Sequence, residues 1–317
     1  MAAQIAASVD GMLARSPANP ILVNGPAAYD RDKVGPRVVL KVGPGDYRMW
    51  YEAVPAGNRS TVGYATSADG LLWTKRGEVL RPSADWEAGP QGEVSPNSIL
   101  VEGGRCRLWY HSYGPDTRRR IGYACSPDGL HWTKHPEPVL DVGPAGSWDD
   151  GLACEPRVFP VTGGYILFYI GKQLAYSFSY GLGLAHSPDG VHWTKDAQNP
   201  VFGVGWEGWS GGGFAGPGIV QDGSLFRMWY ADTVASTLHY ADSPDGRTWT
   251  LGAYNPVLAA PSDPSAPDLH LGDSVSAYRD GNEFRILYGG FNFTPPVRRC
   301  ICMATVRAPD CAEESRH

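Results

Sequence analysis

Twelve residues, YATSADGLLWTK from Tyr64, return nearly unchanged as YACSPDGLHWTK from Tyr123, as LAHSPDGVHWTK from Leu184 and as YADSPDGRTWT from Tyr240. A weaker copy, AASVDG, starts at Ala6. Their serines (Ser8, Ser67, Ser126, Ser187 and Ser243) recur with a period of about 60 residues, the mark of a repeat architecture in which each unit buries its apolar face only against its neighbours. A chain of 317 residues built from copies of one unit is expected to form one domain over 1–317, with 307–317 as a tail.

Each copy reads as four short strands. In the second these are SPNSILVE, RCRLWYHSY, RIGYACS and LHWTKHPEPVL, separated by the turn signals EGG, GPDT and SPDG. No segment sustains a helical period, so the fold class is all-β, and four antiparallel strands at this period mean propeller blades. In the SPDG turn the Ser and Asp side chains bond the turn's own backbone, Gly allows positive φ, and the following Trp packs between blades. Five innermost strands can be placed, GPRVVL at Gly35, SPNSIL at Ser95, EPRVFP at Glu155, GPGIVQ at Gly216 and SVSAYR at Ser274, which gives five blades. The C-terminal RCICMATV supplies the third strand of the last blade. The N-terminal NPILVNG, which matches EPVL, NPVF and NPVL elsewhere, supplies its outermost strand and closes the ring. AASVDG and MATVRAPDC compete for one place in that blade, and the C-terminal copy is expected to take it.

The net charge of −6 gives no electrostatic reason to expect nucleic acid or an anionic membrane as a partner. No apolar run approaches the ~18 residues of a membrane span, and MAAQIAASVDGML lacks a basic start, so a cytoplasmic location is expected. Six cysteines show no CxxC metal spacing and are expected to be buried or free thiols. Folding CRLWYHSYGPDTRRRIGYAC about its Gly-Pro-Asp turn places Cys106 opposite Cys125, where an oxidising compartment could join them.

With its SPDG-x-HWTK turns and MWY strands, the chain resembles the five-bladed propeller glycoside hydrolases: arabinanases and β-xylosidases, the invertase and levansucrase group, and the mannoside phosphorylases. The resemblance implies a pocket at one mouth of the channel, lined by the first residues of the innermost strands, where carboxylates from different strands act as acid and as base or nucleophile. Acids that break the repeat are therefore the candidates. Glu155 in ACEPRVF stands where other blades have Gly35, Ser95, Gly216 and Ser274; Asp273 stands where the fourth blade has Ala215. Asp32 lies just before the first innermost strand, and Glu93 just before the second. Asp150, which doubles the acid of Trp148-Asp149, is held in reserve, whereas the aromatic-acid pairs Tyr29-Asp30, Trp86-Glu87, Trp148-Asp149 and Trp206-Glu207 repeat and read as structural. Gly35 and Ala215 depart from the resemblance, since both stand where many arabinanase-like chains carry an acid.

Period-two alternation sets Arg157 on the face of Glu155, with Arg37 and Asn97 at the same level, as binders of an anion or as ion-pair partners of the acids. His111, Asp232 and His270 lie toward the same mouth, and Trp209, in the glycine-rich WEGWSGGGFAG, offers a stacking platform for a sugar. The expected partner is a small carbohydrate. No cofactor is expected, although some members of the resembled group hold Ca²⁺ in the channel. The function this implies is a glycoside hydrolase acting on a furanoside or a small pentose or fructose glycan, with Glu155 as acid and Asp32 or Asp273 as base or nucleophile. A phosphorylase or transferase, a non-catalytic glycan-binding propeller, and a lyase or cyclase on the same scaffold are the alternatives.

Overall fold

The structure is a computed structural model that describes residues 11–57, 59–89, 92–175, 180–203, 213–294 and 298–309, with backbone alone at Asp273 and Arg298. Among these residues the chain forms antiparallel meanders in sequence order. The first comprises Lys33–Gly43, Asp46–Val54, Thr61–Ser67 and Thr74–Leu80. The second comprises Ser95–Glu102, Arg105–Tyr113, Arg119–Ser126 and Thr133–Lys134; the third, Leu152–Val161, Gly164–Lys172, Tyr180–Ser187 and Thr194–Lys195. A lone parallel pair, Leu152 with Arg119, joins these two into one sheet. The fourth runs through Phe214–Asp222, Leu225–Asp232, Thr237–Ser243 and Thr250–Leu251. The fifth takes His270–Asp280, Glu283–Asn292 and Arg298–Arg307 from the C-terminal part.

The fifth meander is completed from the other end of the chain. Ala14 and Arg15 pair with Thr305 and Ala304, and Leu22 and Val23 pair with Ile301 and Cys300. The third-strand place is filled by the C-terminal copy, as expected, while residues 1–10, which contain AASVDG, lie outside the described residues. The apolar cores sit between meanders. Trp50 and Val62 of the first pack with Leu108 and Tyr110 of the second, and Met49 and Tyr51 pack with Leu287 and Met303 of the fifth. First strands touch in the order first, second, third, fourth, fifth and back to first, so they surround a common axis. The first strands begin at 33, 95, 152, 214 and 270, up to four residues ahead of the sequence-based starts, because pairing continues on the N-terminal side of an irregularity described below. No helix among the described residues is long and apolar enough to cross a membrane.

The repeated turns have a mechanical role. Ser67 Oγ accepts from Gly70 N–H at 2.8 Å, and Asp69 Oδ1 accepts from the N–H groups of Leu71 and Leu72 at 2.8 and 2.9 Å; the turns at Ser126, Ser187 and Ser243 do the same. The motif tryptophans Trp73, Trp132, Trp193 and Trp249 pack at the cores between meanders. Direct links come from second strands: Trp50 Nε1 donates to Gly129 O at 2.7 Å, and Trp109 Nε1 to Gly190 O at 2.8 Å, in each case the turn of the next meander.

Three of the four aromatic-acid pairs are structural too, while Trp206-Glu207 lies outside the described residues. Glu87, fully buried, accepts from Tyr110 Oη at 2.7 Å and from Lys134 Nζ at 2.6 Å. Asp30 is bonded in the same way to Tyr51 and Lys75, and Asp149 to Tyr169 and Lys195. In the fifth meander Asp268 takes Tyr288 and, from the start of the chain, Arg15.

One expectation fails. Cys106 pairs with Ser126, and Cys125 with Arg107, so the register is offset by one residue from that assumed and the two side chains point to opposite faces of the sheet. Both thiols are free.

A buried carboxylate that loses its cation strands a charge, whereas an exposed pair contributes little. Lys134→Met is therefore expected to destabilise the fold by about 3 kcal/mol. Arg81→Met, which breaks the exposed Arg81–Glu78 pair, should change stability by less than about 1 kcal/mol. Urea denaturation of the two variants measures the contrast.

Candidate functional site

Every first strand loses register near its start: between Gly35 and Val38, Pro96 and Ser98, Cys154 and Arg157, Ala215 and Gly218, and Leu271 and Val275. Pro36, Pro96, Pro156 and Pro217 explain four of these breaks, since proline has no N–H for the ladder and is tolerated at bulges, which re-aim the side chains around them. In the third strand the bulge places Glu155 at φ +54°, left-handed backbone that a non-glycine residue rarely adopts. Gly216 has the same φ at the corresponding bulge of the fourth strand. The register thus pairs Cys154 with Ile170, just as Gly35 faces Glu52, Ser95 faces His111 and Ala215 faces Ala231. Glu155 shares its place with Gly216, and not with Gly35 or Ser95, to which the sequence also matched it. Holding a side chain in this conformation costs about 1–2 kcal/mol, which the surroundings must offset.

Those surroundings form a connected polar network. Glu155 Oε1 lies 3.5 Å from Arg37 Nη1, and Arg37 Nη2 donates to Glu52 Oε2 at 2.8 Å. Glu52 is further held by Lys33 at 3.4 Å and by Ser60 Oγ at 3.3 Å. The backbone N–H of Glu155 donates to His111 Nδ1 at 3.3 Å, while His111 Nε2 lies 3.1 Å from Glu93 Oε1 and Arg119 Nε donates to Glu93 Oε2 at 3.0 Å. A consistent proton assignment has Nε2–H donating to Glu93 and Nδ1 accepting from Glu155. The Asn97 side chain, whose Oδ1 is placed 2.8 Å from Nδ1, must then turn its otherwise unpartnered amide nitrogen inward and share the single Nδ1 lone pair with Glu155 N–H. Burial works to raise the Glu93 pKa, but Arg119 and His111 prevail and hold this carboxyl well below the usual range, so Glu93 is a fixed anion. Glu155 Oε2 is buried and has no hydrogen-bond partner among the described residues, which leaves it for a ligand hydroxyl or a transferable proton.

Glu52 escaped the sequence reading. It stands directly opposite Gly35, and a Cβ on residue 35 would meet Glu52 Oε2 at 2.7 Å, so the glycine makes room for a carboxylate reaching in from the second strand. The signal was the residue after the tyrosine that recurs in each second strand (Tyr51, Tyr110, Tyr169, Tyr230 and Tyr288), which is Glu52, His111, Ile170, Ala231 or Gly289 and breaks the repeat in chemical type.

The other candidates are dispersed. Arg157 is buried along the axis, where its guanidinium donates to Pro217 O at 2.7 Å, to Val275 O at 2.9 Å and to Asn97 O, tying three first strands together. Burial brings its pKa down to about 10. A cavity of about 150 Å³ lies alongside, lined by Arg37, Asn97, Arg157 and Ser276 among others. Asp32 is half-buried, donates its N–H to Val54 O at 2.9 Å and has no described partner for its carboxylate. Asp232 Oδ1 caps the N–H groups of Val234 and Ala235 at 3.0 and 2.9 Å. Asp150 similarly caps Gly146 and Leu174. His270 is exposed, its ring 5.6 Å from that of Phe293. Trp209 and the side chain of Asp273 lie outside the described residues. Among the described residues no group of three or more His, Cys, Asp or Glu side chains is arranged to hold a metal ion.

Residues 94–181, which contain Asn97, His111, Arg119 and Glu155, match the family model of β-1,4-mannooligosaccharide phosphorylase. Uncharacterized protein Rv1502 of Mycobacterium tuberculosis strain H37Rv is 29% identical over 213 residues, covering 64% of this chain and 68% of that protein. Uncharacterized protein MT1551 of strain CDC 1551 is 27% identical over 193 residues, covering 56% of this chain and 64% of its own length, so the chain spans a little under two thirds of that relative. In fold, the chain is similar to a solved structure described as a glycoside hydrolase, with a TM-score of 0.71, 18% identity and coverage of 94% of this chain and 96% of that one. A structure described as belonging to the GH130 family of mannoside phosphorylases, which contains glycoside hydrolases that target β-1,2 mannosidic linkages in Candida mannan, superposes with a TM-score of 0.67 at 16% identity over 94% and 96% of the two chains. A thermostable family-43 glycoside hydrolase gives 0.63 at 17% identity over 89% and 98%. The likeness to the propeller glycoside hydrolases that the repeats suggested therefore holds, in sequence across the segment that bears Glu155 and in fold across nearly the whole chain.

Proposed function

We propose that this chain is a closed five-bladed propeller, one domain throughout, that cleaves a glycosidic bond at the mouth where the first strands begin. Glu155 is its general acid. The observation that carries this reading is the state of that one side chain: a left-handed glutamate at a bulge, with one carboxylate oxygen beside Arg37 and the other buried and without a partner among the described residues. Such an acid can hold a proton for the departing glycosidic oxygen while a carboxylate on the opposite face takes a proton from the attacking water. Asp32, half-buried with its carboxylate unengaged among the described residues, and Asp273 are the candidates for that second role. The match to a mannooligosaccharide phosphorylase family makes a mannoside the first substrate to try, ahead of the furanoside that the repeats alone suggested.

The same match raises phosphorolysis as a second reading, and the charges at the mouth favour water over phosphate. Lys33 and Arg37 are engaged by Glu52, Arg119 by Glu93, and Arg157 by three backbone carbonyls. A phosphate dianion would have to break these contacts, whereas a neutral glycan and a water molecule need not.

Two measurements follow. Nitrophenyl glycosides, including β-mannosides and arabinofuranosides, should be turned over without phosphate, and Glu155→Gln should lose roughly 10³-fold in rate; strict dependence on inorganic phosphate would establish phosphorolysis instead, and no turnover alongside sugar binding would mark a non-catalytic propeller. Glu155→Gly, which removes the Cβ from a left-handed position, should raise the stability of the fold by about 1 kcal/mol while abolishing activity. Glu155→Ala, which keeps the Cβ, should show no such gain in thermal denaturation.

A further inference from the structure

We propose that His111 is a positioning residue that holds Glu155 in its left-handed conformation, with Glu93 in turn holding His111; the role assigned to His111 rests on the reading of Glu155 as the acid. The bulge between Cys154 and Arg157 takes Glu155 N–H out of the strand ladder, and a buried backbone donor must find another acceptor. It finds His111 Nδ1 at 3.3 Å. The imidazole is 2% exposed, and its other nitrogen faces Glu93 at 3.1 Å, with Glu93 fixed by Arg119 on the far side. Both ring nitrogens are thus engaged within the protein, so His111 acts on a substrate only through the glutamate. His111 belongs to the second meander, the one before the bulge it supports; where the fourth meander reaches the same φ with Gly216, the corresponding residue of the meander before it is Ile170, whose side chain offers no acceptor. The imidazole appears where the bulge residue carries a side chain and is absent where glycine needs no support. Glu155 is therefore gripped at two points, its backbone by His111 and its carboxylate by Arg37.

The test compares His111→Asn, whose amide oxygen can stand near the Nδ1 position, with His111→Gln and His111→Leu, which leave Glu155 N–H without an acceptor there. On a glycoside that the parent turns over, kcat should fall about 100-fold in the Gln and Leu variants, the scale of a misplaced catalytic group. It should stay within about tenfold of the parent in the Asn variant, and KM should be little changed throughout. A raised KM with kcat retained would make His111 a substrate contact and overturn the proposal, as would equal losses in Asn and Leu. A crystal structure of the Leu variant, or of the Gln variant where Leu does not fold, needs no activity and separates this proposal from the glycosidase reading. Residue 155 leaving the positive-φ region would support positioning; residue 155 staying near +54° with Arg37 still in place would overturn it, whatever the enzyme does.

Discussion

The architecture depends on a buried carboxylate in the first, second, third and fifth meanders, answered by a tyrosine from the second strand and a cation from the outermost. Asp30, Glu87 and Asp149 each lie in the lead-in to a first strand, so the same ion pair that ties the outer edge of the meander to its middle also fixes where the next strand sets out. Isolated charges are not tolerated at such burial, and the geometry is correspondingly strict. In the fifth meander the cation is Arg15, from the far end of the sequence. Ring closure and strand placement therefore use one device. Its product is a set of first strands whose starts converge on a common axis, and that convergence gives side chains distant in sequence, such as Arg37 and Glu155, a shared mouth.

Much of this could be read in the sequence because it is symmetric. A turn written four times, an aromatic-tyrosine strand and a lead-in acid show their spacing, and spacing is enough to derive strands, meanders and closure by the chain ends. The candidate site was legible only where the sequence broke the symmetry along the first strands, and that is how Glu155 was singled out. Glu52 was hidden because its carboxylate enters from the neighbouring strand, into room that Gly35 leaves vacant. A search confined to first-strand positions sees a missing acid, although a carboxylate is present beside it.

Arg157 shows the other limit. Two-residue alternation sets it on the face of Glu155, and Arg37, Asn97 and Arg157 do line one cavity, but the ladder is broken between Cys154 and Arg157 and the guanidinium is taken up by backbone carbonyls of three strands. The expected Cys106–Cys125 pairing failed by a one-residue offset. Periodicity identifies faces reliably only within an unbroken ladder, and in this fold the ladders break at the level where the site lies.

The comparison between the third and fourth meanders separates the demands of fold from those of function. Both first strands need a bulge before a proline and both reach φ +54°, so the left-handed residue belongs to the architecture. Glycine meets that need without strain, and the fourth meander uses it. The third uses glutamate and surrounds it with a histidine, an arginine and their own partner acids, an arrangement that folding alone does not require. Strain retained where an unstrained residue serves equally well is the ground for proposing that Glu155 is kept for chemistry, its second carboxylate oxygen having no partner among the described residues.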